Sequence, residues 1–432
     1  MSFFKLPRGM RDLEPEEFEL IEKIRSIFLE VAKLFGFKLM EPSPIELLST
    51  LEAKSGPSIS NEIYCFKDKG GRDVGLRFDL TVGLTRFVAS RRDLQLPIKL
   101  CSFSSMWRYD EPQYGRYRWF YQWDAEIFGS KSIEADAEII EFTSLIFDKL
   151  GLKNCIIEIG DRRVVEEYLK REMKTNDENL ILEALRALDK VKKKTIQQII
   201  DEYADKGINE NIMSKIIEFG KLRGKPDDII NSLREQGIQN LNDLISLTDS
   251  LDARGIKNIL LSMGIVRGLD YYDGIVFEVF DEKNIDVGAL AGGGRYDSLP
   301  KIFGRQDLAA TGVAGGVERI AILLSKTNMI KSEELPLIYV AYTNKDFMRI
   351  VTQLASMLRR DGIRVEFDLS GKNLKKQMEI ASSLNAKYTL ILAPREYSQK
   401  KIVVKNMMDG TEIQIGIDDA LSFLKDKIKN LK

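Results

Sequence analysis

The sequence predicts an α+β protein in two parts. Residues 1–326 form an antiparallel-sheet core that carries a helical insertion over about residues 161–255, and residues 336–432 form a small α/β domain. Three observations carry this. Alternating apolar and polar runs flank short turn-rich loops at residues 63–79 and 100–129, the mark of hairpins. From about Asp161 to Ser250 the composition shifts to Lys, Glu, Leu and Ile, helical throughout, with breaks at Gly207, Gly220–Pro226 and Gly237. Beyond a linker from Thr327 to Pro336, strand and helix patterns alternate, which implies a largely parallel sheet.

Length and composition set the frame. A chain of 432 residues exceeds one compact core, and 44% hydrophobic with 30% charged residues is ordinary for a globular protein. No apolar run is long enough to span a bilayer, and the first residues lack the pattern of a secretory signal, so no membrane association and a cytoplasmic location are expected. Cys65, Cys101 and Cys155 lie far apart in apolar, strand-like runs and read as buried free thiols, with no metal site. The net charge of −1 does not advertise nucleic acid. Lys331–Lys432 nevertheless holds 18 basic against 13 acidic residues, a mild excess that suits an anionic partner or a solvated surface equally. There is no histidine. That excludes catalysis through Ser-His-Asp or Cys-His systems, imidazole zinc sites and histidine general bases. With no glycine-rich Walker loop either, any phosphate chemistry must rest on arginines, carboxylates and metal.

Asp12 to Phe35 is a helix: Phe18, Ile21, Ile24, Phe28 and Val31 recur at helical spacing, Pro15 stands in the first turn and Gly36 follows. A short strand from Phe37 closes at Pro42. The hairpin at residues 63–79 ends in Arg77-Phe-Asp-Leu-Thr81 and leads into a helix. The second hairpin has Pro112 and Gly115 in its loop. Its return strand alternates: Trp119, Tyr121, Trp123, Ala125 and Ile127 point one way, and Arg118, Phe120, Gln122, Asp124 and Glu126 the other. Arg108, Arg116 and Arg118 place three guanidiniums around it, a type suited to bidentate phosphate contacts. A helix from Ile133 to Leu150 and a strand from Cys155 to Ile159 follow. After the insertion come Arg267-Gly-Leu-Asp-Tyr-Tyr272, Gly292-Gly-Gly-Arg-Tyr-Asp297 and Gly312-Val-Ala-Gly-Gly-Val-Glu-Arg319, the last a small-residue strand turning into a helix. Arginine in a first helical turn opposes the helix dipole unless an anion also lies there.

The run Trp107-Arg-Tyr-Asp-Glu-Pro-Gln-Tyr-Gly-Arg-Tyr-Arg-Trp-Phe-Tyr-Gln-Trp-Asp-Ala-Glu126 resembles motif 2 of class II aminoacyl-tRNA synthetases, in the form used by histidyl-tRNA synthetases. The opening helix, strand and proline are similar to motif 1, which in that family builds a homodimer interface, and Gly312–Arg319 is similar to motif 3. The segments at 267–272 and 292–297 resemble the family's histidine-recognition pair. The C-terminal unit looks like the anticodon-binding domain of this class.

The resemblance implies a class II catalytic core that uses ATP with Mg²⁺, L-histidine and a histidine tRNA. It implies that Arg267 and Arg108 are catalytic, Arg267 as a fixed positive charge beside the α-phosphate, and that Arg108, Arg116 and Arg319 bind ATP. Asp79, Thr81, Gln122, Glu126, Tyr271, Tyr272, Gly292 and Gly294 are implied to bind histidine, Asp79 and Thr81 at its α-amino group and Glu126 at its imidazole. Read without the family, Asp79 is equally a helix cap, and only one of two adjacent strand tyrosines can face a ligand. A rival resemblance is a regulatory subunit of histidine biosynthesis with the same core. Such paralogues usually lose the first arginine of the Arg-Gly-Leu-Asp-Tyr-Tyr motif and the C-terminal domain, both of which are present here.

Overall fold

The computed structural model describes residues 5–111, 117–191, 194–204, 206–266, 272–327 and 336–429. The chain divides into two compact units, Met1–Ile330 and Lys331–Lys432.

In the first unit helix α1 spans Pro15–Leu34. Pro15 opens it, Glu16 and Glu17 suit its positive end, and Gly36, at φ +74°, follows its close. Its buried stripe is Ile21, Ile24, Phe28 and Val31. Phe18 belongs to the same sequence pattern but is 42% exposed, because the stripe engages the core only from the second turn. Strand β1 (Lys38–Leu39) follows, and further on helix α2 (Thr81–Ser90), β2 (Ile98–Trp107), β3 (Trp119–Phe128), helix α3 (Ile133–Lys149) and β4 (Cys155–Asp161). After six helices among the described residues between Arg162 and Ala253 come β6 (Ile259–Ser262), β7 (Ile275–Asp281), β8 (Ala291–Arg295), β9 (Ala310–Gly316) and helix α4 (Val317–Lys326). The helical segment is not uniform as its composition implied. Strand β5 (Arg223–Gly224) lies in the Gly220–Pro226 break and pairs with β6.

These strands form one nine-stranded sheet in the order β1-β2-β3-β9-β8-β7-β4-β6-β5. From β2 to β4 every neighbour is antiparallel. One face packs Trp123, Ala125 and Ile127 of β3 against Phe28 of α1 and Phe142 of α3, in a core continuous with that of the inserted helices. A smaller core on the opposite face gathers Leu84, Phe128, Tyr272, Val276 and Tyr296. A separate three-stranded sheet holds Ile45–Leu47, Cys65–Lys67 and Asp73–Leu76. Cys65 is exposed there, contrary to expectation, since all three residues of its short strand face solvent. Cys101 and Cys155 are buried, and burial pushes both thiols up to about 12.

The second unit is a five-stranded sheet of β10 (Ile338–Tyr342), β11 (Val365–Phe367), β12 (Tyr388–Leu392), β13 (Lys401–Asn406) and β14 (Glu412–Gly416), ordered β11-β10-β12-β13-β14. It is mixed rather than largely parallel. Full helices, Met348–Arg360 and Leu374–Ser383, separate the parallel strands β10, β11 and β12. One short helical turn joins β12 to β13 and a tight turn joins β13 to β14; links this short permit only antiparallel pairing.

Candidate active site

The sheet's inner rows explain where the cavity lies. Across β3, β9 and β8 the register pairs Glu126 with Gly312 and Gly312 with Gly294, then Asp124 with Ala314 and Ala314 with Gly292; Gln122 faces Gly316. This face therefore carries long polar side chains on β3 and almost no side chains on β8 and β9. The space left is a cavity of about 370 Å³. Its lining includes Asp79, Thr81, Gln122, Glu126 and Tyr272, together with Arg108 and Arg319. Gly312 is the tightest point of the floor. A Cβ there would lie 1.4 Å from Glu126 Oε2, so only glycine leaves that carboxylate its place.

One group of lining residues is rich in hydrogen-bond acceptors. Asp79 stands between the Arg77-Phe-Asp-Leu-Thr81 turn and α2, and its Oδ1 accepts from the Val82 amide at 3.1 Å. It is thus a helix cap and a cavity wall at once. Thr81 donates to Asp124 at 3.2 Å and the Gln122 Nε2 donates to Asp124 at 2.7 Å. Glu126 is 1% exposed, and its Oε2 accepts from the Tyr296 hydroxyl at 2.5 Å. Tyr296 is held from behind. Arg295 beside it donates from Nε and Nη2 to one oxygen, Oδ2, of buried Asp136 (3.0 and 2.6 Å) and also donates to the Ser130 and Ser132 carbonyls. The Tyr272 ring lies edge-on to that of Tyr296, 6.4 Å away.

A second group is cationic. Arg108, at the foot of the hairpin, donates from Nε to the Phe78 carbonyl at 3.0 Å and lies 5.0 Å from the centre of the Phe120 ring. Arg319 occupies the first turn of α4, and the Ala289 carbonyl accepts from it at 2.9 Å. Beside it Glu318 is 5% exposed. Its Oε1 accepts from the Tyr121 amide at 2.8 Å and lies 3.7 Å from a guanidinium nitrogen of Arg11. Burial pushes the Glu318 carboxyl up to about 7, against the lowering effect of the Tyr121 amide and of Arg11. Arg11 itself stacks 3.8 Å from the centre of the Tyr117 ring and pairs with Glu17.

Of the residues singled out from sequence, Asp79, Thr81, Arg108, Gln122, Glu126, Tyr272, Gly292 and Arg319 line this one cavity. Arg116, Arg267 and Tyr271 lie outside the described residues. Gly294 is not in the lining. Its φ of +152° and the Ile275 carbonyl, 2.3 Å from where a Cβ would be, tie its glycine to strand packing. Arg118 is not in the lining either. It is buried, donates to the Asp110 and Arg8 carbonyls and stacks on Tyr109, so it closes the hairpin base instead of offering its charge to a ligand. Sequence reasoning passed over Tyr296, although it sits inside the Gly-Gly-Gly-Arg-Tyr-Asp run, and Glu318, the neighbour of Arg319. No sequence signal ties Arg11 to this place.

Chemically, buried acceptors suit an ammonium or ring N–H donor, and Arg108 with Arg319, the latter at a helix N-terminus, suits phosphate oxygens. No group of three or more Cys, Asp or Glu converges as a metal cage among the described residues. No described helix is long and apolar enough to cross a membrane.

Comparison with known proteins agrees with this geometry. The family profile described as histidyl-tRNA synthetase matches residues 9–320, and that of an anticodon-binding domain matches residues 337–427. The histidine–tRNA ligase of Pyrococcus furiosus is 34% identical over 434 aligned residues, covering 98% of this chain and 99% of its own. That of Pyrobaculum islandicum is 34% identical, covering 94% and 95%. The crystal structure of histidyl-tRNA synthetase from Nostoc sp. PCC 7120 shares the fold, with a TM-score of 0.83 over all of both chains at 23% identity. The profile runs through every strand of the large sheet, from β1 to β9, and a third of all positions are identical from end to end in relatives, which makes this chain a member of the histidyl-tRNA synthetase family.

Proposed function

We propose that this protein is a histidine–tRNA ligase. In the first step a carboxylate oxygen of histidine attacks the α-phosphorus of ATP. The bond from that phosphorus to the bridging oxygen breaks and pyrophosphate leaves, giving histidyl-adenylate. In the second step the terminal ribose hydroxyl of a histidine tRNA attacks the activated carbonyl and AMP leaves. Reactions of this kind need alignment and charge neutralisation more than covalent help from the protein.

The observation that carries this reading is that Arg108 and Arg319, from motifs far apart in sequence, line the same cavity as Asp79, Thr81, Gln122 and Glu126. In it the α-ammonium of histidine meets Asp79, Thr81 and Gln122. The imidazole N–H meets Glu126, oriented by Tyr296, and Tyr272 flanks the ring. Gly292 leaves room for the substrate, while Gly294 shapes the strand beneath it. Arg108 and Arg319 hold the phosphates of ATP. Arg267 adds the fixed charge at the α-phosphate, Tyr271 belongs to the same histidine motif, and Arg116 reaches the pyrophosphate or the tRNA acceptor end.

Mg²⁺ would be held through the phosphates of ATP, whose charge it would offset. The lining fits that mode, since Mg²⁺ usually takes substrate phosphates with only one or two carboxylates, and Asp110 and Glu318 are lining carboxylates. The second unit takes the anticodon. Residues 1–326 and 336–432 are the working domains, and two copies form a cytoplasmic homodimer. Leu34 at the end of α1 and Leu39 on edge strand β1, 66% and 56% exposed, are apolar surface that a second copy would cover.

Histidine-dependent exchange between pyrophosphate and ATP, followed by charging of histidine tRNA, tests the proposal. Histidine binding without exchange would replace it with the regulatory reading.

A further inference from the structure

Asp124 is fully buried, absent from the cavity lining, and sits directly behind it. The alternation of β3 puts it on the same face as Gln122 and Glu126. Its row partners are Ala314 on β9 and Ser102 on β2. Two lining side chains turn toward it: Gln122 Nε2 donates to Oδ1 at 2.7 Å, and Thr81 Oγ1 donates to Oδ2 at 3.2 Å.

A carboxylate only accepts. It therefore fixes the polarity of both neighbours. The Gln122 amide must give Asp124 its nitrogen side, which leaves the carbonyl oxygen for the cavity. Thr81 has a single hydroxyl hydrogen and spends it on Asp124, so only its lone pairs remain for a ligand. With the Asp79 carboxylate beside them, the cavity presents three acceptors from three side chains, and an ammonium has three donors to match. We propose that Asp124 is a positioning residue that sets this part of the cavity to acceptors only, and so selects a protonated α-amino group over a hydroxyl or hydrogen in its place. This deepens the reading above and rests on it: histidine must be the ligand.

Asn at position 124 keeps the shape but offers one acceptor and one donor. Whichever way its amide turns, either Gln122 or Thr81 must reverse and point a hydrogen at the ammonium. In the full-length protein, Asp124→Asn should raise KM for histidine in pyrophosphate exchange by about 10- to 100-fold, the size of one lost charge-assisted hydrogen bond. KM for ATP should stay within about twofold, since those contacts lie elsewhere. Inhibition by imidazole-4-propionate, which lacks the amino group, should not change. The double variant Gln122→Glu with Asp124→Asn exchanges the two groups, restores an acceptor toward the cavity, and should recover much of the loss.

A parallel weakening of histidine, ATP and imidazole-4-propionate would overturn the proposal, as would a double variant no better than the single one. If Asp124→Asn does not fold, the natural protein still decides. It should bind imidazole-lactate, with hydroxyl for amino, at least about 100-fold more weakly than histidine, and near-equal binding would end the idea. A natural protein that exchanges no pyrophosphate with histidine would instead sink the underlying assignment.

Discussion

Replacing Glu318 by Gln should change how the stability of this protein depends on pH. Glu318 is 5% exposed at the start of α4, and burial carries its carboxyl from an ordinary 4.5 to about 7. Between those values the folded protein holds a proton that the unfolded chain has released. The contribution of Glu318 to stability is thus greatest below pH 4.5, falls as pH rises, and levels off above about 7. At about 1.4 kcal/mol per pH unit the loss is about 3 kcal/mol. Gln is the neutral counterpart: its carbonyl still accepts from the Tyr121 amide, and it never ionises. The comparison of variant with parent therefore cancels every other titrating group. About 2.5 kcal/mol of the loss falls between pH 5 and pH 8, and with roughly 2.1 cal/mol/K of unfolding entropy per residue a unit the size of Met1–Ile330 should show that as about 3–4 °C. The assay is thermal unfolding of both proteins at pH 5 and pH 8, following the transition of the larger unit. Glu318→Gln should gain on its parent by that amount between the two pH values. A gap that stays constant would refute the reasoning, because it would mean that Glu318 ionises as easily in the fold as in water.

Other consequences follow from the same geometry. Tyr296→Phe removes the 2.5 Å donor to buried Glu126 and should lower kcat/KM for histidine about 10- to 100-fold, with KM for ATP unchanged in pyrophosphate exchange. Gly312→Ala puts a methyl 1.4 Å from Glu126 Oε2 and 2.8 Å from the Ala125 carbonyl. It should cost more than Tyr296→Phe in both histidine activation and melting temperature. Arg319→Ala removes a cation at the helix N-terminus. Calorimetry should find histidine binding intact, while exchange falls by about 100-fold or more.

Much of this was legible because the decisive patterns are local. The two-residue period of β3 is enough to send Trp123, Ala125 and Ile127 to the core and Gln122 and Glu126 to the opposite face, since successive side chains of a strand cannot share a side. Helix α1 is equally plain from Ile21 to Val31, and of the glycine run at 292–294 it is Gly292 that lines the cavity. What stayed hidden depends on partners distant in sequence. Arg118 alternates with Trp119 like any outward residue, yet the carbonyls of Asp110 and Arg8 draw it inward. The parallel expectation for the second unit failed at β13 and β14 because strand patterns alone do not say whether the link between them crosses a sheet or merely turns back. Cys65 looked buried because its neighbours Ile63 and Phe66 are apolar, but a three-residue edge strand has too little sheet beyond it to cover both faces.

Within the polar face itself, alternation treats Gln122, Asp124 and Glu126 as equals. Depth separates them. Gln122 and Glu126 reach the cavity, and Asp124 is sealed behind it, where a polar group is tolerated only if hydrogen-bond partners come to it. Thr81 and Gln122 are two such donors, and their own ligand-facing chemistry is thereby decided. A carboxylate that never touches the ligand can in this way govern what the ligand must be. That information lies in the pairing of one strand with one helix turn, and no stretch of sequence contains it alone.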